Sequence, residues 1–359
     1  RHNAARHWVE SELVAALAAT RRDPEVDFGQ LRDSLNDVEE FRVALARMWP
    51  VLTPAELLHD LFGSNALLRI AGAGILKTEE YEALYRPRSE RLADVHWSDG
   101  DVALLDEALA LLGPRPRRSG KISEADEIRL YGHIIIDEVQ DLTPMQLRMA
   151  TRRSLNGAMT VVGDLAQGTG AFAPHEWSEI LQYLPDKREP QVFNLSVGYR
   201  IPEEIMALAD RVMRAAAPGL QAPRSVRQGD FPPLIVHVGS GQELQDEVVK
   251  QAMNLLSAIV DGNVAVVCAD SMVDAVSEAL FLAGLDHGRA NYTALDSRLT
   301  VVPVSLIKGL ELDGVVVVEP VAIVEAQENG LRALYVALTR ATQRLTVVHQ
   351  RALPQPMIY

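Results

Sequence analysis

From about residue 120 onward, short β-rich runs alternate with helical ones, and this rhythm limits the folds open to the chain more than anything else in it. HIII (133–136), MTVVGD (159–164) and QVFNLS (191–196) are separated by PMQLRMATRRSL, HEWSEILQYL and IPEEIMALADRVM. The alternation resumes with PLIVHV, a helix over about Glu243 to Val260, VAVVCAD, a helix over about Met272 to Ala283, LTVVPV, GVVVVEP, a helix ending near Arg340, and RLTVVH. Strands joined by helices of this length make a parallel sheet covered by helices. A Pro-rich join over Pro218 to Pro233 divides the run into two sheet domains.

Before residue 120 the pattern is helical. Thr53-Pro54-Ala55-Glu56 carries the cap, first-turn proline and reciprocal glutamate of a capping box. A further helix runs from Ser98 through DVALLDEALALL and stops at Gly113-Pro114. The expected organisation is therefore an all-α region over 1–120, a first sheet lobe over 121–221 and a second over 222–359.

The 359 residues exceed what one hydrophobic core serves, and a 48% hydrophobic content suffices for several. No apolar stretch approaches the roughly 20 residues needed to cross a bilayer. The opening RHNAARHW has neither a signal-peptide core nor an initiator Met, which predicts a cytoplasmic chain lacking its natural beginning. The single cysteine, Cys268, lies within VAVVCAD and reads as a small buried apolar residue, so disulfides and cysteine metal sites are excluded. A net charge of −14 argues against broad affinity for nucleic acid. The densest basic stretch, Arg115 to Lys121, reads as a solvated linker.

Five segments carry chemistry. HIIIDEVQD ends an apolar strand in paired acids, Asp137 and Glu138, as a nucleotide hydrolase presents a magnesium-binding carboxylate beside a water-activating one. VVGDLAQGTG opens a strand into a loop with Asp164 and Gln167, whose amide can sense a terminal phosphate; the same letters also read as a Gly-rich bend. LSVGYRIP sets Tyr199 and Arg200 ahead of a helix beginning at Pro202, a ring able to stack on a purine beside a guanidinium able to reach phosphate, or simply a surface pair. VVPVSLIKGLELDGVVVVEP places Lys308, Gly309 and Glu311 between two strands, where Gly allows close backbone approach and Glu311 can accept from a ribose hydroxyl. LYVALTRATQRL ends with Arg340 near a helix C-terminus, a position the helix dipole alone would favour for a cation.

Together, DEVQD, GDLAQ, GYR, KGLE and VALTRA, in that order, resemble motifs two to six of the UvrD/Rep-type superfamily-1 helicases. Within that group, WSDGDVALLDEALALLG, PMQLRMATRRS, GDLAQGTG, VVPVSLIKGLE, the VVVVEP stretch and VALTRA are similar to the HelD proteins, helicase-like ATPases that bind bacterial RNA polymerase. The resemblance implies an α/β fold of two RecA-like parallel-sheet lobes of P-loop NTPase type, preceded by an all-α insertion that contacts the polymerase. It implies ATP and Mg²⁺ as cofactors. Asp137 would coordinate the metal, Glu138 would deprotonate the attacking water, and Gln167, beside Asp164, would contact the γ-phosphate. Tyr199 would stack on adenine and Arg200 would act as an arginine finger; from the second lobe, Arg340 would act as another and Glu311 would hold the ribose, with Gly309 allowing close approach beside it. Such fingers contribute about 10³-fold or more in rate, and the place of Arg340 on the other lobe makes hydrolysis require closure.

Two departures qualify this. The phosphate cradle GxxxxGK[ST] is missing: Ser119-Gly120-Lys121-Ile122-Ser123 has the GK, but position 115 is Arg and Ile follows the Lys. The expectation is a cradle upstream of Arg1 and, in this fragment alone, weak ATP binding with negligible hydrolysis. Where UvrD-type enzymes carry Thr-x-His, this chain has Pro303-Val304-Ser305, which makes processive unwinding doubtful. The favoured expectation is an ATP-dependent remodeller that releases stalled RNA polymerase, monomeric apart from that partner, off the membrane and weak for nucleic acid. The alternatives are a DNA repair helicase translocating on single strands and a non-enzymatic polymerase-binding module. Trp49, Phe62 and Trp97 in the helical region read as core rather than as partner anchors.

Overall fold

The computed structural model describes residues 1–20, 27–116, 126–185, 189–220, 222–239, 241, 243–290 and 297–358. These form two compact units, one comprising 1–134 with 145–158, the other 135–144 with 159–359. The Gly120-Lys121 pair lies outside the described residues.

The first unit is helical among its described residues up to residue 116: α1 (His2–Ala19), α2 (Phe28–Asn36), α3 (Glu39–Met48), α4 (Pro54–Phe62), α5 (Asn65–Gly72), α6 (Thr78–Leu84) and α7 (Asp99–Leu112), with α8 (Pro144–Arg152) contributed from later in the chain. The expected capping box at α4 is formed, Thr53 Oγ1 accepting from Glu56 N while the Glu56 carboxylate accepts from Thr53 N. α7 ends where Gly113 takes a left-handed φ of 72°. Asn3, buried in α1, donates to the carbonyls of Leu52 and Gly113, so one amide ties α1 to the end of α7. Leu58, Phe62 and Leu68 form a small core joined by Trp97, and Trp49 stacks on His2, so all three aromatics noted in the sequence are packed within the unit.

The second unit is built on a parallel six-stranded sheet of order β5-β10-β9-β6-β8-β7, with β5 (Leu234–His237), β6 (Val264–Cys268), β7 (Gly288–Arg289), β8 (Leu299–Pro303), β9 (Leu312–Val318) and β10 (Ala341–His349). Its strands are apolar at successive positions because both faces are covered. Ala265, Val267, Val302, Val315, Val317 and Val347 enter one core with helices α10 (Glu203–Ala216), α13 (Pro320–Ala326) and α14 (Gly330–Leu338). Val264, Val266, Cys268, Val301, Val316 and Val348 enter the opposite core with α11 (Leu244–Ala258) and α12 (Val273–Leu282). This is the α/β architecture expected of the second lobe.

The earlier strands are less developed. Among the described residues, β1 (Ile134–Ile136) pairs only with β2 (Met159–Val161), and β3 (Val197–Gly198) pairs with β4 (Arg224–Ser225). The expected strand QVFNLS is not one: residues 191–196 are outside any strand, and Phe193 and Leu195 are 81% and 86% exposed. Period-2 apolarity makes a strand only where a neighbour supplies backbone partners and a covered face. The helix expected over HEWSEILQYL shrinks to α9 (Trp177–Leu181), and Pro202 caps α10 instead of opening it. Among the described residues, no helix is long and apolar enough to cross a membrane.

Candidate nucleotide-hydrolysing site

β1 delivers Asp137 and Glu138 to the carboxyl end of a strand, where both are exposed. Asp137 Oδ1 accepts from Glu138 N at 2.8 Å, which leaves its second oxygen for a cation. Glu138 adopts left-handed backbone (φ 50°, ψ 42°), a conformation that costs a non-glycine residue about 1 kcal/mol and clusters at functional positions. Its Oε2 accepts from Gln140 Nε2 at 2.6 Å.

The loop after β2 brings the phosphate-sensing candidates to the same place. Gln140 Oε1 accepts from the N–H of Asp164, and Asp164 caps a short turn by accepting from Ala166 N at 2.9 Å. The Gln167 amide donates to Asp164 Oδ2 at 2.8 Å, and its oxygen accepts from Arg340 Nη2 at 2.9 Å. VVGDLAQGTG is thus a shaped loop committed to its neighbours, more than a Gly-rich bend.

Arg340 stands immediately before β10, as Glu311 stands immediately before β9; Leu312 N donates to Arg340 O, which holds the two positions side by side at the amino edge of the sheet. Arg340 is 3% exposed; its Nε donates to Val336 O and its Nη2 also to Thr339 Oγ1. Among the described residues it has no ion-paired carboxylate. Burial holds its pKa below the usual guanidinium value and nearby Arg200 lowers it further, against the opposing pull of Tyr335, Glu138 and Asp164. A guanidinium that remains cationic, buried and short of an anion suits a phosphate.

Arg200 is ion-paired with Glu311, so the two residues expected on γ-phosphate and ribose hold each other. Tyr199 beside it is 81% exposed, a free face for stacking. Lys308 pairs with Asp141 at the end of DEVQD. Gly309 has a φ of 72° with open space where a Cβ would be, so glycine answers the backbone conformation there rather than the close approach expected. Asp137, Glu138, Asp164, Gln167, Arg200, Glu311 and Arg340 therefore lie in one compact unit and mostly in one hydrogen-bonded network. Sequence reading passed over Gln140, the residue that joins the first pair to the second; a polar amide two residues after Glu138 in DEVQD was the available signal.

The residues fit a magnesium nucleotide in part. Mg²⁺ is held by one or two carboxylates with phosphates and waters, and a half-free Asp137 at a strand end meets that need; among the described residues no group of three or more side chains forms a metal cage. Candidate residues for water activation, phosphate sensing and charge neutralisation are Glu138, Gln167 and Arg340. The cradle motif has none in these 359 residues.

Residues 298–348 match the UvrD-like helicase C-terminal domain. The chain is 29% identical over 209 residues to the ATP-dependent DNA helicase srs2 of Schizosaccharomyces pombe, covering 54% of this chain and 22% of that protein. It is 27% identical over 205 residues to the ATP-dependent DNA helicase UvrD2 of Mycobacterium tuberculosis, covering 56% of this chain and 27% of the relative. The chain thus spans about a quarter of the length of these curated relatives. Among solved structures it is similar to the C-terminal domain of a possible DNA helicase from Lactobacillus plantarum, with 24% identity, a TM-score of 0.36, and coverage of 45% of this chain and 92% of that one.

Proposed function

From the premise that this chain is of the UvrD/Rep superfamily-1 helicase type, we propose that it is the catalytic part of an ATP-hydrolysing remodeller of RNA polymerase. The observation that carries the hydrolase reading is the convergence of Glu138, Asp164, Gln167 and Arg340 on one hydrogen-bonded path, since phosphoryl transfer needs little beyond positioning and charge neutralisation. In this reading Asp137 takes Mg²⁺, Glu138 takes the proton of the attacking water, and Arg340 and Arg200 neutralise the developing charge. Nucleotide must first part Arg200 from Glu311, which couples binding to movement of the loops that carry them.

The polymerase as partner is favoured by what stands in place of a strand-tracking surface. Val304 is buried, Pro303 has no amide proton, and the Ser305 hydroxyl donates to Asp270 Oδ1 at 2.8 Å. An acid at that position repels phosphate, and the net charge of −14 suits a protein that fills a cleft otherwise occupied by DNA. A cytoplasmic location accompanies this reading. The second reading, a DNA helicase, draws on the names of the curated relatives, both ATP-dependent DNA helicases.

The test is capture of core RNA polymerase by the intact protein, repeated with Glu138→Gln. Retained capture with lost ATP turnover is expected. Normal turnover in Glu138→Gln would remove Glu138 from its role as base. Failure to bind polymerase together with steeply salt-dependent binding to single strands would favour the second reading.

A further inference from the structure

We propose that Gln140 is a positioning residue that aims the Glu138 carboxylate and keeps it in step with Arg340; the proposal rests on the hydrolase reading above. Gln140 is 2% exposed, and both ends of its carboxamide are committed. The backbone N–H of Asp164 can only donate, so the oxygen it meets at 3.0 Å is Gln140 Oε1 and the group facing Glu138 Oε2 at 2.6 Å is the NH₂. One carboxylate oxygen of Glu138 is thereby held while the other stays available to a water. Without that donor the side chain, exposed on a left-handed backbone, would sample several rotamers, and few of them would serve as a base.

The arrangement is built into the fold. A Cβ on Gly163 would collide with Gln140 Oε1 and lie 2.8 Å from Val139 Cγ1, so glycine at 163 is what lets the amide sit there. From Gln140 the path continues through Asp164 and Gln167 to the Arg340 guanidinium. A shift of the finger on meeting phosphate is therefore transmitted through the Gln167 side chain, the side chain and backbone N–H of Asp164, and the Gln140 side chain to Glu138, which ties water activation to occupancy of the phosphate site.

The experiment measures steady-state ATP turnover of the intact protein carrying Gln140→Glu, Gln140→Met or Glu138→Gln. Gln140→Glu keeps the length and the acceptor for Asp164 N–H but sets a repelling oxygen against Glu138; Gln140→Met keeps the length and neither polar function. The expected result is a fall in kcat of about 10-fold or more in both, larger for Gln140→Glu, with KM for ATP within about threefold of the parent. A loss expressed in KM, or a Gln140→Glu kcat near the parent's while Glu138→Gln is inactive, overturns the positioning role alone. No turnover in the parent, or full turnover in Glu138→Gln, overturns the hydrolase reading and this role with it.

Discussion

Arg340 Nη2 donates to Gln167 Oε1 across 2.9 Å, joining two residues 173 positions apart in the chain. The bond shows why a guanidinium can be buried before β10 without a carboxylate: carbonyl, hydroxyl and amide oxygens take its protons and leave its charge unneutralised. Arg340→Lys removes the planar fork and keeps the charge. Turnover in the intact protein should fall about 10²- to 10³-fold, with a smaller change in KM, as steady-state kinetics would show. An unchanged kcat would reduce Arg340 to a helix-end cation.

Gly163→Ala tests the packing beneath Glu138, the proposed base. The added methyl meets Gln140 and Val139, both buried, so it cannot be accommodated by a flexible side-chain end. A destabilisation of about 1–3 kcal/mol is expected from thermal or denaturant unfolding, with loss of turnover in whatever fraction remains folded.

The helical unit carries its own pH dependence. Arg86 forms a two-pronged pair with Asp101 at 2.8 Å for both bonds, and this, with N–H and hydroxyl donation from Ser98, holds the Asp101 pKa down to about 2. A carboxylate whose folded pKa is depressed stabilises the fold above its unfolded pKa, and that contribution is lost as pH falls from about 4 to 2. With half-exposed Arg86 screened by solvent, the term is about 1 kcal/mol. Asp101→Asn should flatten unfolding free energy over that range; an unaltered pH slope would show that the pair does not contribute.

Cys268 is fully buried in β6, and burial, reinforced by Asp270, pushes its thiol up to about 12. The native protein should therefore resist thiol reagents near neutral pH and react only after denaturation. Rapid native labelling would contradict the packing described for β6.

Binding to single-stranded nucleic acid should be weak, with a shallow dependence on salt, because Ser305 is occupied by Asp270 and Val304 is buried. Restoring Thr at 303 and His at 305 together with Asp270→Asn should raise affinity in a fluorescence anisotropy titration. No gain from the triple change would show that another surface governs nucleic-acid binding.

Much of this was legible in the residues alone. The capping box at Thr53–Glu56, the stop at Gly113 and all of the predicted strands after residue 232 follow from local chemistry, which acts over a few residues and leaves its mark in spacing. The ordered motifs also pointed to Asp137, Glu138, Gln167, Arg200 and Arg340, which the fold brings into one unit. QVFNLS fails as a strand for the opposite reason: a strand needs a partner, and a local pattern cannot supply one. Likewise, nothing in the letters indicated that Arg200 would pair with Glu311, that Lys308 would pair with Asp141, or that Gln140 would bridge Glu138 to Asp164. These are contacts between residues brought together only when the sheet forms, and burial then decides which polar atoms must find each other because water no longer serves them.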